Sequence, residues 1–228
     1  MSDDESTDVD VAIEVDEVRE AQLATLGSEF GDAIIESHLI PGDDLWVRVA
    51  REAWVEVGMT LRHGLGFSYF NFLSAIDWMP SPFGRDMDSQ VDISLHGADE
   101  KDPPEMEWGH AGGSTRFQLF ARVNDIRSAR GVTLKVDLPD DDLRVDTWIP
   151  AYPGANWHER EAAEMFGIEF VGHPNPRNLY LPGAFEGHPM RKDFALLARR
   201  IKPWPGIVDV EPMPGDDDDE TGDAEDTA

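Results

Sequence analysis

Residues 115–138 read TRFQLFARVNDIRSARGVTLKVDL, and this stretch determines the predicted fold class. Apolar and polar side chains alternate over Thr115–Val123, and more weakly over Leu134–Leu138, as in strands that bury one face of a sheet. No helical pattern separates the two strands. Consecutive strands with few helices between them are typical of α+β proteins.

The residues before this stretch add two helices and four strands. Val15–Phe30 and Arg51–His63 space their apolar residues as helices do, and Gly31 is placed to end the first helix. The four strands are predicted over Ala33–Ile40, Leu45–Ala50, Phe67–Trp78 and Val91–Leu95. If the weaker Leu134–Leu138 strand is not counted, the element order is α-β-β-α-β-β-β, which predicts a two-layer α+β domain. A short helix and an extended irregular C-terminal arm follow this domain.

The pattern changes at about Val171. Prolines and glycines recur from there to residue 208 and prevent a regular helix or a central strand, except for about two helical turns over Phe194–Ile201. We therefore divide the chain into four parts. These are an acidic disordered tail (1–14), an α+β core domain (15–170), an extended docking arm (171–208) and a second acidic disordered tail (209–228).

Charge is distributed unevenly along this chain of net charge −28. The first twenty residues hold nine acids and one arginine, and the last twenty hold ten acids and no base. The arm instead holds six basic and two acidic residues. Since nucleic-acid binding requires a basic surface, the acidic whole argues against it. Two alternatives remain for the arm: it packs on its own acidic core, or it wraps a partner subunit.

Composition excludes several kinds of site. The chain has no cysteine, which excludes disulfides, thiolate zinc sites, cysteine-ligated iron–sulfur clusters and a cysteine nucleophile. From the acidic N-terminus we expect no cleavable leader, and the uncharged stretch His63–Ile76 is too short and too polar to span a bilayer. We expect a soluble protein that contacts a membrane only through a partner.

Three histidines near the arm suggest a metal site at first. His158-Glu159 begins like an HExxH zinc motif, but position 162 is alanine. His173 and His188 each precede proline in a Gly-His-Pro step, which is typical of turns. We therefore predict structural roles for these histidines. No motif for nucleotide binding or acyl transfer is present.

A helix is predicted over Trp157–Phe166, ending at Gly167. A helical-wheel projection of this segment places an apolar arc on one side, made of Trp157, Ala162, Met165 and Phe166. His158 and Glu161 fall inside that arc and lie three residues apart.

A buried carboxylate on this face would need a partner. We hypothesise that Glu161 is desolvated and binds a cation from the arm, Arg191 or Lys192. At the edge of the arc, Arg160 and Glu164 lie four residues apart and are predicted to pair. Alternatively, a carboxylate pair such as Glu161 and Glu164 could act in acid–base catalysis, but helix surfaces often carry such pairs.

The same residues carry a family resemblance. Residues 159–168 read EREAAEMFGI, and Gly172-His173-Pro174 and then residues 187–194, GHPMRKDF, follow. Together these motifs are similar to the C subunit of bacterial respiratory complex I, the proton-translocating NADH:quinone oxidoreductase. The resemblance extends over roughly Val15–Gly206.

This resemblance implies a non-catalytic structural subunit in the peripheral arm of the complex, on the cytoplasmic side of the plasma membrane. Such a complex passes electrons from NADH through FMN and iron–sulfur clusters to quinone and couples this to proton translocation. The resemblance implies that other subunits bind these cofactors and that this chain binds none. It also implies that the C-terminal arm clamps onto the D subunit, beside neighbouring peripheral-arm subunits, and that the chain is not a homo-oligomer.

We identify no catalytic, cofactor-binding or metal-ligating residue. The expected structural or interface residues are Trp157, His158, Glu159, Arg160, Glu161, Glu164, His173, Arg177, His188, Arg191, Lys192 and Asp193. C-like subunits also occur in membrane-bound hydrogenases and in complexes that oxidise other donors, and this remains the alternative. A stand-alone metal-dependent hydrolase and a free-standing acidic adaptor are two further classes for comparison.

Overall fold

The computed structural model describes residues 16–42, 44–80 and 105–194. In chain order its elements are α1 Glu17–Phe30, β1 Ile34–Leu39, β2 Leu45–Val49, α2 Trp54–His63, β3 Tyr69–Asp77, β4 Phe117–Asp125, β5 Arg130–Leu138, β6 Arg144–Asp146, α3 Ala155–Phe166 and β7 Glu169–Val171. The predicted Val91–Leu95 strand, both tails and all but the first residue of the Phe194–Ile201 helix lie outside the described residues. So do residues 195–208 of the arm.

A five-stranded sheet in the order β1-β2-β5-β4-β3 forms the centre of the fold. β1 and β2 are an antiparallel hairpin, and β3, β4 and β5 pair antiparallel in sequence order. The hairpin joins these three strands where β2 runs parallel to β5, with Leu45 opposite Val132. Five strands with few helices form a mixed α+β fold, as predicted. β6 and β7 form a separate parallel pair.

One face of the sheet is apolar and carries the core. β2 contributes Leu45, Val47 and Val49, and the facing positions of β5 and β4 are also apolar and buried. α1 and α2 bury Leu26 and Leu61 in the same core. Because side chains alternate across a strand, a period of two in the sequence produces this layer.

α2 lies unusually close to Trp148, a fully buried side chain just after β6. The rings of Trp148 and Trp54 are stacked with centroids 4.5 Å apart, and Trp148 Nε1 donates a hydrogen bond of 2.9 Å to Trp54 O. A Cβ atom on Gly58 would lie 2.7 Å from the Trp148 ring. Glycine is therefore required at 58, and the contact fixes the backbone at 147–148 beneath α3.

The second face of the sheet buries a lysine. Lys135 Nζ donates to His110 O at 2.8 Å and to Gly112 O at 2.7 Å, which holds the loop before β4 against the sheet. Burial lowers the pKa of Lys135 to about 8. The alternation in the sequence indicated a polar outer face here, so this buried charge was not predicted.

The two outer strands of the sheet differ in their surroundings. The strand predicted over Phe67–Trp78, whose aromatic and apolar residues favour a buried position, is the edge strand β3, and its outer face exposes Phe72 and Ile76. α3 packs along β3, where His158 Nδ1 lies 3.1 Å from Leu73 O and 3.5 Å from Leu73 N. This side chain occupies edge groups that would otherwise be free to pair with another strand.

Candidate functional site

The helix α3 and the chain that follows it form the candidate site. α3 buries Ala155, Glu159, Ala162, Glu164 and Phe166. Of the predicted apolar arc, Ala162 and Phe166 are buried and Met165 packs against the core. Trp157 is instead 68% exposed, and Glu161, which was expected inside the arc, is half-buried. The predicted arc left out Glu159 and placed Glu164 at its edge, whereas both carboxylates are buried opposite hydrogen-bond donors.

Glu159 is the first buried carboxylate and has no exposed surface. Thr147 Oγ1 donates to its Oε2 at 2.5 Å, and the Trp148 backbone N–H donates to its Oε1 at 2.6 Å. His173 Nε2 lies 3.9 Å from Oε2. Burial raises the pKa of Glu159 to about 7, although both hydrogen bonds favour the ionised form.

We expect Glu159→Gln to remove a pH dependence of stability. The pKa of Glu159 is higher in the folded chain than the ordinary value of 4.5, so the folded state holds a proton that the unfolded state has lost. The free energy of unfolding therefore falls as pH rises from about 4.5 to 7, by about 3 kcal/mol, and is level above that range. Urea unfolding of the wild type and the variant between pH 5 and 8 measures both slopes.

Glu169→Gln is the matched control, because Glu169 lies on β7 close to α3 and is exposed. Its variant should keep the wild-type slope. If the wild type and Glu159→Gln show the same slope between pH 5 and 7, the assignment of that slope to Glu159 is wrong.

Glu164, the second buried carboxylate, binds a turn of the arm. It accepts three consecutive backbone N–H groups, from Leu179 at 2.5 Å, Tyr180 at 2.9 Å and Leu181 at 3.2 Å. The predicted pair between Arg160 and Glu164 is wrong, because each group binds backbone instead. Arg160 donates to the carbonyl oxygens of residues 177 and 178, at 2.7 and 3.1 Å. The turn 177–181 is thus fastened to α3 at both ends.

The hypothesis on Glu161 does not hold in the described residues. Within them Glu161 has neither an ion pair nor a hydrogen bond, and Arg191 Nε donates to Phe166 O at 2.7 Å. This bond caps the end of α3, where Gly167 turns the chain with φ +77°. A Cβ atom at 167 would lie 2.5 Å from Arg191 Nη2 and 2.6 Å from His188 Nε2, so glycine is needed there.

The three histidines each contact backbone groups. His173 Nε2 lies 3.1 Å from Asn156 O, and its Nδ1 accepts the Asn175 N–H at 3.0 Å. His188 Nδ1 lies 2.8 Å from Glu164 O. In the described part of the chain, no group of three or more His, Asp or Glu side chains is arranged to hold a metal ion.

The end of the described arm reaches the sheet through an aspartate that sequence reasoning missed. Asp77, at the end of β3, accepts two bonds from Arg116, at 2.8 and 2.7 Å, and one from the Lys192 N–H at 2.8 Å. Arg116 also pairs with Asp193 at 3.0 Å. Burial alone would raise the pKa of Asp77, but these bonds together lower it below its ordinary value. The alternation of buried and exposed positions along β3 places Asp77 on the buried side. This alternation was the signal from which the sequence could have identified Asp77.

A cavity of about 520 Å³ lies between α3, β7 and residues 172–176. Glu159, Arg160, Glu169, His173 and His188 contribute to its walls, with apolar side chains between them. Six of the twelve expected site residues lie on α3 and six follow it in the chain. Most of them bind other groups of the chain, whereas Trp157 and Glu161 make no hydrogen bond or ion pair among the described residues. Within the described residues, no helix has the length and apolar character needed to cross a membrane.

Known proteins resemble this chain over most of its described length. The family described as "Respiratory-chain NADH dehydrogenase, 30 Kd subunit" matches residues 47–200. The fused C/D subunit of NADH-quinone oxidoreductase from Cronobacter sakazakii is 36% identical over 162 residues, covering 70% of this chain and 22% of the relative. The protein of the same name from Photorhabdus laumondii is 41% identical over 114 residues, covering 49% of this chain and 18% of the relative.

The chain spans about a fifth of the length of these curated relatives. The match to a solved structure of an archaeal membrane-bound sulfane sulfur reductase covers 79% of this chain and 88% of the matched chain, at 19% identity and a TM-score of 0.49. A trypsin-resistant fragment of Nqo5 covers 69% of this chain and 98% of its own, at 20% identity and a TM-score of 0.47. The family match covers more than half of the sequence, and the chain therefore belongs to the family of the 30 kDa subunit of respiratory-chain NADH dehydrogenase.

Proposed function

We propose that this chain is the C subunit of NADH:quinone oxidoreductase and joins subunits of its peripheral arm without an active site of its own. The family match over residues 47–200 is the observation that supports this most strongly. The geometry is compatible with this role, because most polar side chains of the site, such as Arg160 and Glu164, bind the chain's own backbone.

We propose the D subunit as the main partner. The relatives are named as C/D subunits, and this chain matches only 22% and 18% of two of them. A fused chain keeps its two parts at a high effective concentration, which suits parts that also bind each other. The same contact in this protein would form between separate chains.

The docking platform, defined as α3 with residues 177–194, offers a surface for that partner. Its exposed large side chains are Trp157, Tyr180, Phe185 and Met190. Trp157 and Tyr180 are 68% and 63% exposed, and such aromatic side chains are over-represented among the residues that carry most binding energy. The contacts described above hold the platform in place, so these side chains are presented from a fixed backbone.

We further propose that the chain binds none of the cofactors of the complex. NADH, FMN, iron–sulfur clusters and quinone would belong to other subunits, and the chain would lie at the cytoplasmic side of the plasma membrane through those subunits. The absence of cysteine supports this for the clusters, whose usual ligands are thiolates. Metal and flavin analysis of the purified chain, and of the complex that contains it, would test the assignment.

We expect Trp157→Ser to weaken binding to the D subunit by roughly tenfold to a hundredfold, because exposed tryptophans that become buried are frequent hot spots. The chain itself should fold normally, since its tryptophan is already in water. Co-purification of a tagged D subunit with wild-type and variant chains, followed by mass spectrometry, measures the effect.

Ile126→Ser is the matched control. Ile126 lies in the turn between β4 and β5 and is 68% exposed, as is Trp157, but it is not on the docking platform. The control should co-purify as the wild type does. Equal loss in both variants would contradict a specific role for the platform, and failure of the wild-type chain to co-purify would contradict the proposed function.

A further inference from the structure

The two edges of the five-stranded sheet differ: within the described part of the chain, one is covered and the other is open. The edge of β3 is covered by α3 and met by His158 at Leu73. The edge of β1 has no such cover among the described residues, and its four central side chains, from Ile35 to His38, are exposed. Exposed edges with free backbone groups are the usual site at which another strand is added.

The register of the hairpin shows which backbone groups of β1 are free. Ile40 N–H donates to Asp44 O at 2.9 Å, and Ser37, His38 and Leu39 lie opposite Val47, Trp46 and Leu45. In an antiparallel pair, hydrogen-bonded and non-hydrogen-bonded positions alternate. His38 is therefore bonded to β2, whereas the N–H and C=O groups of Ser37 and Leu39 point away from it. Outside the β1–β2 ladder, neither residue makes a hydrogen bond in the described part of the chain.

The charge around this edge has one sign. From residue 21 to residue 47 the sequence has five acidic residues and neither lysine nor arginine. Glu29, Asp32 and Glu36 are exposed at the end of α1 and on β1. The next base along the sequence, Arg48, is already bound to Glu36 at 2.8 Å and to Asp137 at 2.7 Å. A strand that lies along β1 would therefore gain from basic side chains.

We propose that the edge of β1 receives an extended, basic segment of a neighbouring subunit, which adds a sixth strand to the sheet. This inference rests on the proposed function, because it places the chain inside an assembly. It differs from the docking platform, since β1 and β3 lie at opposite edges of the sheet. A second copy of this chain is a poor occupant, because each copy carries a net charge of −28.

Hydrogen exchange tests the added strand in the assembled complex. We expect exchange within residues 34–40 to slow by at least about tenfold for two amides, those of Ser37 and Leu39, when the chain is in the complex rather than alone. Ser37→Pro should lower incorporation into the complex by roughly tenfold, because proline removes an outward N–H that β2 does not use. Ser37→Thr keeps that N–H and is the matched control.

The identity of the occupant can be read from a cross-link, because a chain without cysteine allows a single thiol to be placed. Ser37→Cys carrying a photo-cross-linker should react with a lysine- or arginine-rich segment of another subunit. Ser74→Cys, an exposed position on β3, should not react with that segment. Unchanged exchange in an intact complex, or a cross-link to a second copy, would overturn the inference and leave the proposed function standing. A chain that joins no complex would overturn both.

Discussion

Glu164→Ala should lower the free energy of unfolding by about 3–5 kcal/mol and release the turn 177–181 from α3. The substitution removes a buried acceptor that binds three backbone N–H groups at once, and a hydrogen bond contributes about 0.5–1.5 kcal/mol, or up to about 3 kcal/mol when its acceptor is charged. Urea unfolding measures the loss of stability. Limited proteolysis should show new cleavage between residues 175 and 185, where the turn becomes accessible.

Glu161→Ala is the control for this variant, three residues earlier on the same helix. Glu161 is half-buried and has no partner among the described residues, so the change should stay within about 0.5 kcal/mol. Sequence reasoning had assigned the buried acid to Glu161. A large loss for Glu161→Ala with a small loss for Glu164→Ala would restore that hypothesis and contradict the structure.

Gly58→Leu should cost about 4 kcal/mol or more and prevent the core from closing. A Cβ atom at this position would already lie 2.7 Å from the Trp148 ring, before any further side-chain atom is added. The ring cannot move aside easily, because it stacks on Trp54 and donates a hydrogen bond to Trp54 O. Forcing extra atoms into a well-packed interior is one of the few mechanisms that gives such large losses. The loss of near-ultraviolet circular dichroism and the fall in melting temperature measure it.

Gly27→Leu tests whether position rather than helix propensity decides this result. Gly27 lies within α1, is exposed and has open space where a Cβ atom would be. Leucine is favoured over glycine in a helix by roughly 0.5–1 kcal/mol, so this variant should be slightly more stable than the wild type. Equal destabilisation at 27 and 58 would show that the contact with Trp148 is not the cause.

The sequence predicted the local elements well, because each has a simple periodicity. β1 and β2 lie within one residue or two of the predicted strands, and α1 ends at Gly31 as expected. The parallel pairing of β2 with β5 could not be predicted. Alternation shows which face of a strand is buried, but it carries no information about which distant strand lies beside it. The short strands β6 and β7 were missed because three residues are too few to show a period.

At the candidate site, the residues were found but their partners were not. Sequence reasoning required a buried acid on α3 to be paired, which is correct for both Glu159 and Glu164. It expected a cation, since charge is visible in a sequence. The structure instead supplies backbone N–H groups and the Thr147 hydroxyl. Every residue other than proline has a backbone N–H, so no pattern of residue types could have singled out residues 148 and 179–181.

The three bonds between Glu164 and the turn 177–181 also determine whether the entropic cost of ordering this turn arises on folding or on association. A free loop loses its conformational entropy when a partner binds, at about 0.5–1.5 kcal/mol for each immobilised side chain and more for the backbone. Here the backbone of the turn is fixed when the chain folds, and the ordering of Tyr180 is the main loss left for binding. Glu164 thus moves an entropic cost from assembly to folding, and a partner would meet a surface that is already shaped.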